Sequence, residues 1–90
     1  MFYVYVLYSL KDFRLYIGYT SNLRRRFREH ENGLVKSTKK RRLFQLLYYE
    51  AYICKINAER RERFYKSGRG REVIKKILRE SFENINGRVV

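Results

Sequence analysis

Ninety residues are enough for one domain with a single modest core and too few for two. The 44% hydrophobic and 17% aromatic content is that of a folded chain, and the lack of Pro with only five Gly argues against long flexible linkers. Twenty-two Lys and Arg against nine acids give a net charge of +13, a self-repelling density that calls for an anionic partner.

Nucleic acid is the expected partner. An anionic membrane would need one long amphipathic helix with a Lys/Arg face, whereas these cations are spread over the whole chain. A single Cys54 excludes an internal disulfide and a cysteine-built zinc site, and one His30 cannot form a histidine cluster. Cys54 is expected to be a small buried filler. The apolar run Phe2 to Leu7 is too short for a membrane span and has no charged leader, so a cytoplasmic location is expected.

In chain order, FYVYVLYSL (2–10) reads as a central strand buried on both faces. A turn at 11–14 leads to a returning strand, Leu15 to Thr20. Ser21 or Asn22 caps a helix from Leu23 to Glu31, closed by Asn32 and Gly33, with Leu23, Phe27 and His30 as its inward stripe. In the loop KSTKKRR (36–42) five of seven residues are basic. Leu43 to Tyr52 reads as a third strand. Asn57 is expected to cap a second helix, Ala58 to Lys66, which Ser67-Gly68-Arg69-Gly70 breaks. A third helix is predicted from Arg71 to Phe82, burying Val73, Ile74, Ile77, Leu78 and Phe82. The order ββαβαα describes an α+β layer with a small antiparallel sheet and helices beside it. Residues 1–84 form the domain and 85–90 are expected to be a frayed tail.

The composition restricts the chemistry open to a phosphodiesterase. Two-metal sites gather several carboxylates, and the only Asp is Asp12, in a predicted turn. A histidine pair is impossible, and no motif supports a Ser/His/Asp relay. What remains is one metal on very few protein ligands, with arginine, lysine and tyrosine. Arg24, Arg25 and Arg26 fall in the first turn of the first helix while Glu29 and Glu31 fall near its end, opposite to what the helix dipole favours. A phosphate there would meet free N–H groups and guanidinium forks together. Arg24, Arg25 and Arg28 also read as a solvated face, but Arg26 shares a side with Leu23 and His30 and leans toward the sheet. Glu62 lies between Ala58 and Tyr65 on a partly buried helix side. It is either an ion-pair partner of a neighbouring arginine or a functional carboxylate able to hold Mg²⁺. Of the nine tyrosines, Tyr3, Tyr8, Tyr48, Tyr49 and Tyr52 are expected in the core or on the sheet.

Tyr3-Val4-Tyr5, then Tyr16-Ile17-Gly18, then Asn22-Leu23-x-x-Arg26-x-x-x-His30, then Ala58-x-x-Arg61-Glu62 together resemble the GIY-YIG nuclease domain. The ordered set spans nearly the whole chain. Tyr65-Lys66-Ser67-Gly68-x-Gly70 is similar to compact stand-alone members related to the amino-terminal nuclease domain of the bacterial excision-repair C subunit. The first motif departs from the family in having Tyr3 for glycine and Val4 for isoleucine, and a proline common near Leu43 is absent.

This resemblance implies a three-stranded antiparallel sheet flanked by helices, and metal-dependent hydrolysis of DNA with one Mg²⁺ or Mn²⁺ ion. Tyr5 matches the first motif's last position and Tyr16 the second motif's first. One of them, Tyr5 before Tyr16, would help take the proton from the attacking water. Arg26 would steady the scissile phosphate, Glu62 would hold the metal, and Gly18 would let the strand end approach substrate. His30 would orient or contact phosphate, or else cap the apolar stripe. Arg24, Arg25, Lys36, Lys39, Lys40, Arg41 and Arg42 would grip the backbone with little base reading. A non-catalytic or partner-dependent nucleic-acid binder is the alternative, and a protein partner or homodimer is left open.

Overall fold

The computed structural model describes residues 1–85. Its strands are β1 (Phe2–Ser9), β2 (Leu15–Thr20) and β3 (Phe44–Tyr52), in one antiparallel sheet of order β2-β1-β3. Helices α1 (Leu23–Glu31), α2 (Lys55–Lys66), α3 (Gly68–Ile77) and α4 (Arg79–Ile85) complete it, with a single 3₁₀ turn at Lys39–Arg41. Of the expected tail at 85–90, Ile85 instead ends α4, and 86–90 lie outside the described residues. No helix among those described is long and apolar enough to cross a membrane.

β1 is central because its run of alternating Tyr and Val offers an apolar side chain to either face. Val4 and Val6 join Ile17, Ala58, Tyr65, Ile74 and Leu78 on the face covered by α2 and α3. Tyr5 and Leu7 join Phe44 on the other face, with Tyr16, Leu23, Phe27 and Leu46 packed around them. Against β3 the register shifts between Val6 and Leu7, where Leu47 has no partner on β1. Asn22 caps α1 by accepting a hydrogen bond from the Arg25 N–H at 3.0 Å, and Gly33, at φ 73°, takes the left-handed turn that follows.

From β3 onward the chain departs from expectation in five places. α2 starts three residues before Ala58, because the Cys54 carbonyl accepts from the N–H groups of Asn57 and Ala58, which puts Asn57 inside the first turn rather than at the cap. That end of the helix faces solvent, so Cys54 is exposed rather than a core filler. α3 starts at Gly68 rather than Arg71, since the Ser67 hydroxyl accepts from the Gly70 N–H at 3.1 Å and confines the break to one residue. The single long helix divides at Leu78, leaving Ile77 44% exposed while Ile74 and Leu78 stay buried. β3 likewise begins at Phe44, with Leu43 exposed.

On the α2 face one carboxylate organises the packing. Glu50 accepts hydrogen bonds from the hydroxyls of Tyr48 (2.7 Å), Tyr52 and Tyr65, and from Arg61 Nε at 3.0 Å. Burial alone would raise its pKa, but these donors outweigh it and hold the carboxyl at about 2. The α2–α3 corner is equally tight. A Cβ on Gly70 would overlap the Phe64 carbonyl oxygen, while one on Gly68 would meet nothing.

The two glycines should therefore respond oppositely to alanine. In urea denaturation Gly70→Ala is expected to lose about 2–3 kcal/mol through a backbone clash, and Gly68→Ala to be neutral or to gain up to about 1 kcal/mol. Equal effects at the two positions would contradict the close helix approach.

Candidate active site

Tyr5 lies at the middle of the site. It pairs with Gly18 across β1 and β2, and its ring lies directly over that glycine, where a Cβ would overlap Cζ and the hydroxyl oxygen. Gly18 was expected to admit substrate, and the geometry gives it an internal reason to lack a side chain. Only 1% of Tyr5 is exposed, yet its hydroxyl reaches the edge of the sheet and meets His30 Nε2 at 2.8 Å. His30 Nδ1 lies 2.7 Å from the Thr38 hydroxyl, which donates to the Val35 carbonyl at 3.4 Å. One proton arrangement satisfies the whole chain: Tyr5 O–H donates to Nε2, Nδ1–H donates to Thr38, and Thr38 donates to Val35. In this geometry His30 is fully buried, with neither ring nitrogen open to a phosphate.

Around that hydroxyl stand groups from three other elements. The half-exposed Tyr16 ring, from β2, lies 6.4 Å from that of Tyr5 and 5.1 Å from His30. Arg26, one turn before His30 on α1, gives a hydrogen bond from Nη1 to Glu29 Oε1 at 2.9 Å and sits close enough to the Tyr5 hydroxyl to act on its pKa. Glu62 comes from α2, partly buried and paired with Lys66 at 3.0 Å, and its charge also acts on Tyr5. Burial dominates the balance at Tyr5. It pushes the hydroxyl up to about 12, with the Arg26 guanidinium pulling down and Tyr16 and Glu62 pushing further up. His30 moves the other way: burial and the Arg26 charge push it down to about 4, against a weaker pull upward from Glu29.

The basic residues fall into two groups. Arg24, Arg25, Lys36, Lys39, Lys40 and Arg42 are exposed, Arg25 lying 3.9 Å from Glu29 and the Arg42 guanidinium covering Gly33. Arg41 is engaged internally, bound to Asp12 at 2.6 Å with its Nη2 on the carbonyls of Arg14 and Leu15. Glu62 pairs with a lysine, whereas the arginine beside it, Arg61, goes to Glu50. From sequence, Thr38 goes unmarked, while Glu29 and Lys66 carry no expected role as partners of Arg26 and Glu62. Thr38 left no signal at all, being a lone hydroxyl in a basic loop; Glu29 and Lys66 could have been found by helical spacing from Arg26 and Glu62.

Comparison with known proteins bears directly on this arrangement. Residues 1–76 match the GIY-YIG catalytic domain. The chain belongs to the GIY-YIG family. That family is a nuclease superfamily whose members act on nucleic acid and generally depend on a divalent metal. Among relatives, a UPF0213 protein of Pediococcus acidilactici is 43% identical over 77 residues, covering 82% of this chain and 78% of the relative. A UPF0213 protein of Clostridium perfringens is 36% identical over 87 residues, covering 96% and 92%. The solution NMR structure of a UPF0213 protein from Bacillus halodurans superposes with a TM-score of 0.53 at 36% identity, covering 86% of this chain and 85% of the other. The GIY-YIG assignment thus agrees with the three-stranded α+β sheet and the ordered motifs.

Burial of His30 has a measurable consequence. Its folded pKa, about 4, lies below the usual 6.5, so the folded chain binds fewer protons than the unfolded chain between those values. Stability should fall as pH drops through that window, by up to about 1.4 kcal/mol per pH unit. Urea titrations at stepped pH should show this loss already above about pH 5.5, where Glu50 and Asp12, whose ordinary values are 4.5 and 3.8, remain ionised in the unfolded chain too and do not yet contribute. His30→Gln should flatten that upper part of the profile, and an unchanged slope would rule out the buried neutral imidazole.

Proposed function

We propose that this chain is an endonuclease that hydrolyses DNA phosphodiester bonds with one Mg²⁺ or Mn²⁺ ion. The observation that carries this reading is convergence: Arg26 from α1 and Glu62 from α2 both act on the hydroxyl of Tyr5 from β1, beside the half-exposed Tyr16. A site for binding alone has no use for a carboxylate at that point.

The donor set suits a hard, mostly hydrated ion. No cluster of three or more His, Cys, Asp or Glu able to hold a metal occurs among the described residues. Glu62, with its side chain 23% exposed, offers one carboxylate that can exchange Lys66 for a cation. Mg²⁺ accepts such a site, since it keeps several waters and completes its shell with phosphate oxygens. When bound, the ion lowers the pKa of water and neutralises phosphate charge.

The remaining work falls to the chain's own groups. Arg26 presents a guanidinium fork to the scissile phosphate and to the charge that grows on it. Tyr5 takes the proton of the attacking water while passing its own to His30 Nε2, along the hydrogen bond of 2.8 Å. The raised pKa of Tyr5 and the lowered pKa of His30 both disfavour a free tyrosinate–imidazolium pair. The proton therefore moves in concert with attack on phosphorus, not before it. Thr38 keeps His30 in the accepting tautomer, and Tyr16 flanks the water's approach. Arg24, Arg25, Lys36, Lys39, Lys40 and Arg42 hold flanking phosphates; Arg41 braces the hairpin through Asp12. The location follows the substrate and is cytoplasmic. The competing reading, a binder without activity or one that cuts only with a partner, draws on the Glu62–Lys66 pair, which occupies the carboxylate internally.

Incubating the purified chain with supercoiled plasmid and branched DNA in Mg²⁺ or Mn²⁺ should give nicks that EDTA abolishes. Arg26→Ala and Tyr5→Phe should each slow cleavage by about 10²–10³, and Glu62→Gln should remove metal dependence together with activity. Cutting that survives all three substitutions sinks the site. DNA binding with steep salt dependence and no cutting under any metal would favour the binder.

A further inference from the structure

Along the outer edge of β2 two cavities of about 450 and 490 Å³ open side by side, sharing Arg14, Leu15 and Arg71 as lining. The first reaches Tyr16 and Lys66, and so starts at the candidate active site. The second ends at Tyr8 and Phe13 on the β1–β2 hairpin, with Lys75 of α3 opposite. Five cations line this groove against one acid, Asp12, whose carboxylate is already bound by Arg41. Arg14, Arg71 and Lys75 are exposed. None of these three, nor Phe13, belongs to the basic loop or to α1.

The hairpin tip is built to present an aromatic ring. Phe13 has φ 58°, the left-handed region where a bulky side chain is strained, and it is 68% exposed. Several bonds fix that conformation. Ser9 Oγ accepts from the N–H groups of Lys11 and Asp12 and donates to the Arg41 carbonyl at 2.7 Å, while the Phe13 N–H donates to the Ser9 carbonyl at 2.9 Å. The Asp12–Arg41 pair ties the tip to the 3₁₀ turn. Beneath the Phe13 ring lies Tyr8, with centroids 6.4 Å apart. A rigid, exposed ring at the end of a cationic groove has the form of a stacking platform for an unpaired base, with phosphates neutralised along the way. A fully paired duplex offers no free base face to it.

We propose that this groove is a second nucleic-acid subsite, which carries a single-stranded flank away from the scissile phosphate. Arg14, Arg71 and Lys75 hold its backbone, and Phe13 stacks on one unpaired base. The proposal rests on the nuclease reading for its direction, and it narrows the substrate class to nucleic acid with a single-stranded segment beside the cut.

The test measures binding apart from cutting. Fluorescence anisotropy of a fluorescein-labelled oligothymidylate, and of a blunt duplex of equal length, is followed with the full chain in EDTA. Phe13→Gly, which removes the ring and suits the positive φ, should weaken oligothymidylate binding about tenfold while changing duplex binding less than about twofold. Phe13→Tyr, which keeps a ring, should bind like the wild type. Arg71→Ala and Lys75→Ala should each lower the slope of log K against log salt for the single strand by about 0.7. Thermal unfolding checks the fold, and Phe13→Asn replaces the glycine variant should that fail to fold. Oligothymidylate binding that is indifferent to the ring, or equal losses on single strand and duplex, would overturn the subsite. A chain that binds through Phe13 yet never cuts plasmid keeps the groove and loses the nuclease; one that cuts but binds independently of Phe13 does the reverse.

Discussion

One buried hydrogen bond, from the Tyr5 hydroxyl to His30, constrains most of what surrounds it. Tyr5 lies on the central strand, so its backbone is fixed by ladders on both sides. Its ring needs Gly18 beneath it, and its hydroxyl, on a residue only 1% exposed, needs an acceptor. His30 supplies that acceptor only while Thr38 holds its other nitrogen, and Thr38 sits just before the 3₁₀ turn of the basic loop. Strand, helix and loop are thus coupled through three polar side chains in an otherwise apolar layer. The same side chain serves the core and the candidate site.

The opposite face of the sheet is held by different chemistry. There Glu50 gathers three tyrosine hydroxyls and Arg61, joining β3 to α2. Arg61 and Tyr65 lie on the turn of helix that carries Glu62, so the direction of Glu62 is set by neighbours bonded to another carboxylate. Every buried side-chain polar atom among the described residues has a partner, which is what a low-dielectric core demands. Neutral bonds on one face and an ionised hub on the other give the two halves of the site separate supports.

The strands and α1 could be read from the sequence because their signals are local: Tyr and Val runs, Asn22 before a helical stripe, Gly33 after it. Arg26 and Glu62 could be singled out because each broke a local rule, one against the helix dipole and one against burial. What stayed hidden depends on contacts between distant segments. Gly70 read as a helix breaker, but it lies inside α3 because a carbonyl of α2 takes the space of its side chain. Cys54 read as core by residue type, yet the helix it caps begins at the surface. Arg41 read as one more free cation until Asp12, 29 residues earlier, was folded against it. Tyr48 and Tyr52 read as core or sheet residues and Tyr65 as a position on a partly buried helix side, and nothing local marks Glu50 as their common acceptor.

The pairing of Arg26 with Glu29 bears on anion binding. An anion arriving at Arg26 meets a guanidinium whose Nη1 is already held by a carboxylate at 2.9 Å and competes with it for that donor. Arg25 lies 3.9 Å from the other oxygen of that carboxylate. Glu29 is thus a tethered counterion within reach of two arginines. Such competition weakens capture of the anion, and it liberates fewer mobile ions than a bare arginine would. Arg26 should thus contribute less than its full charge to the salt sensitivity of binding, however central it is to the site.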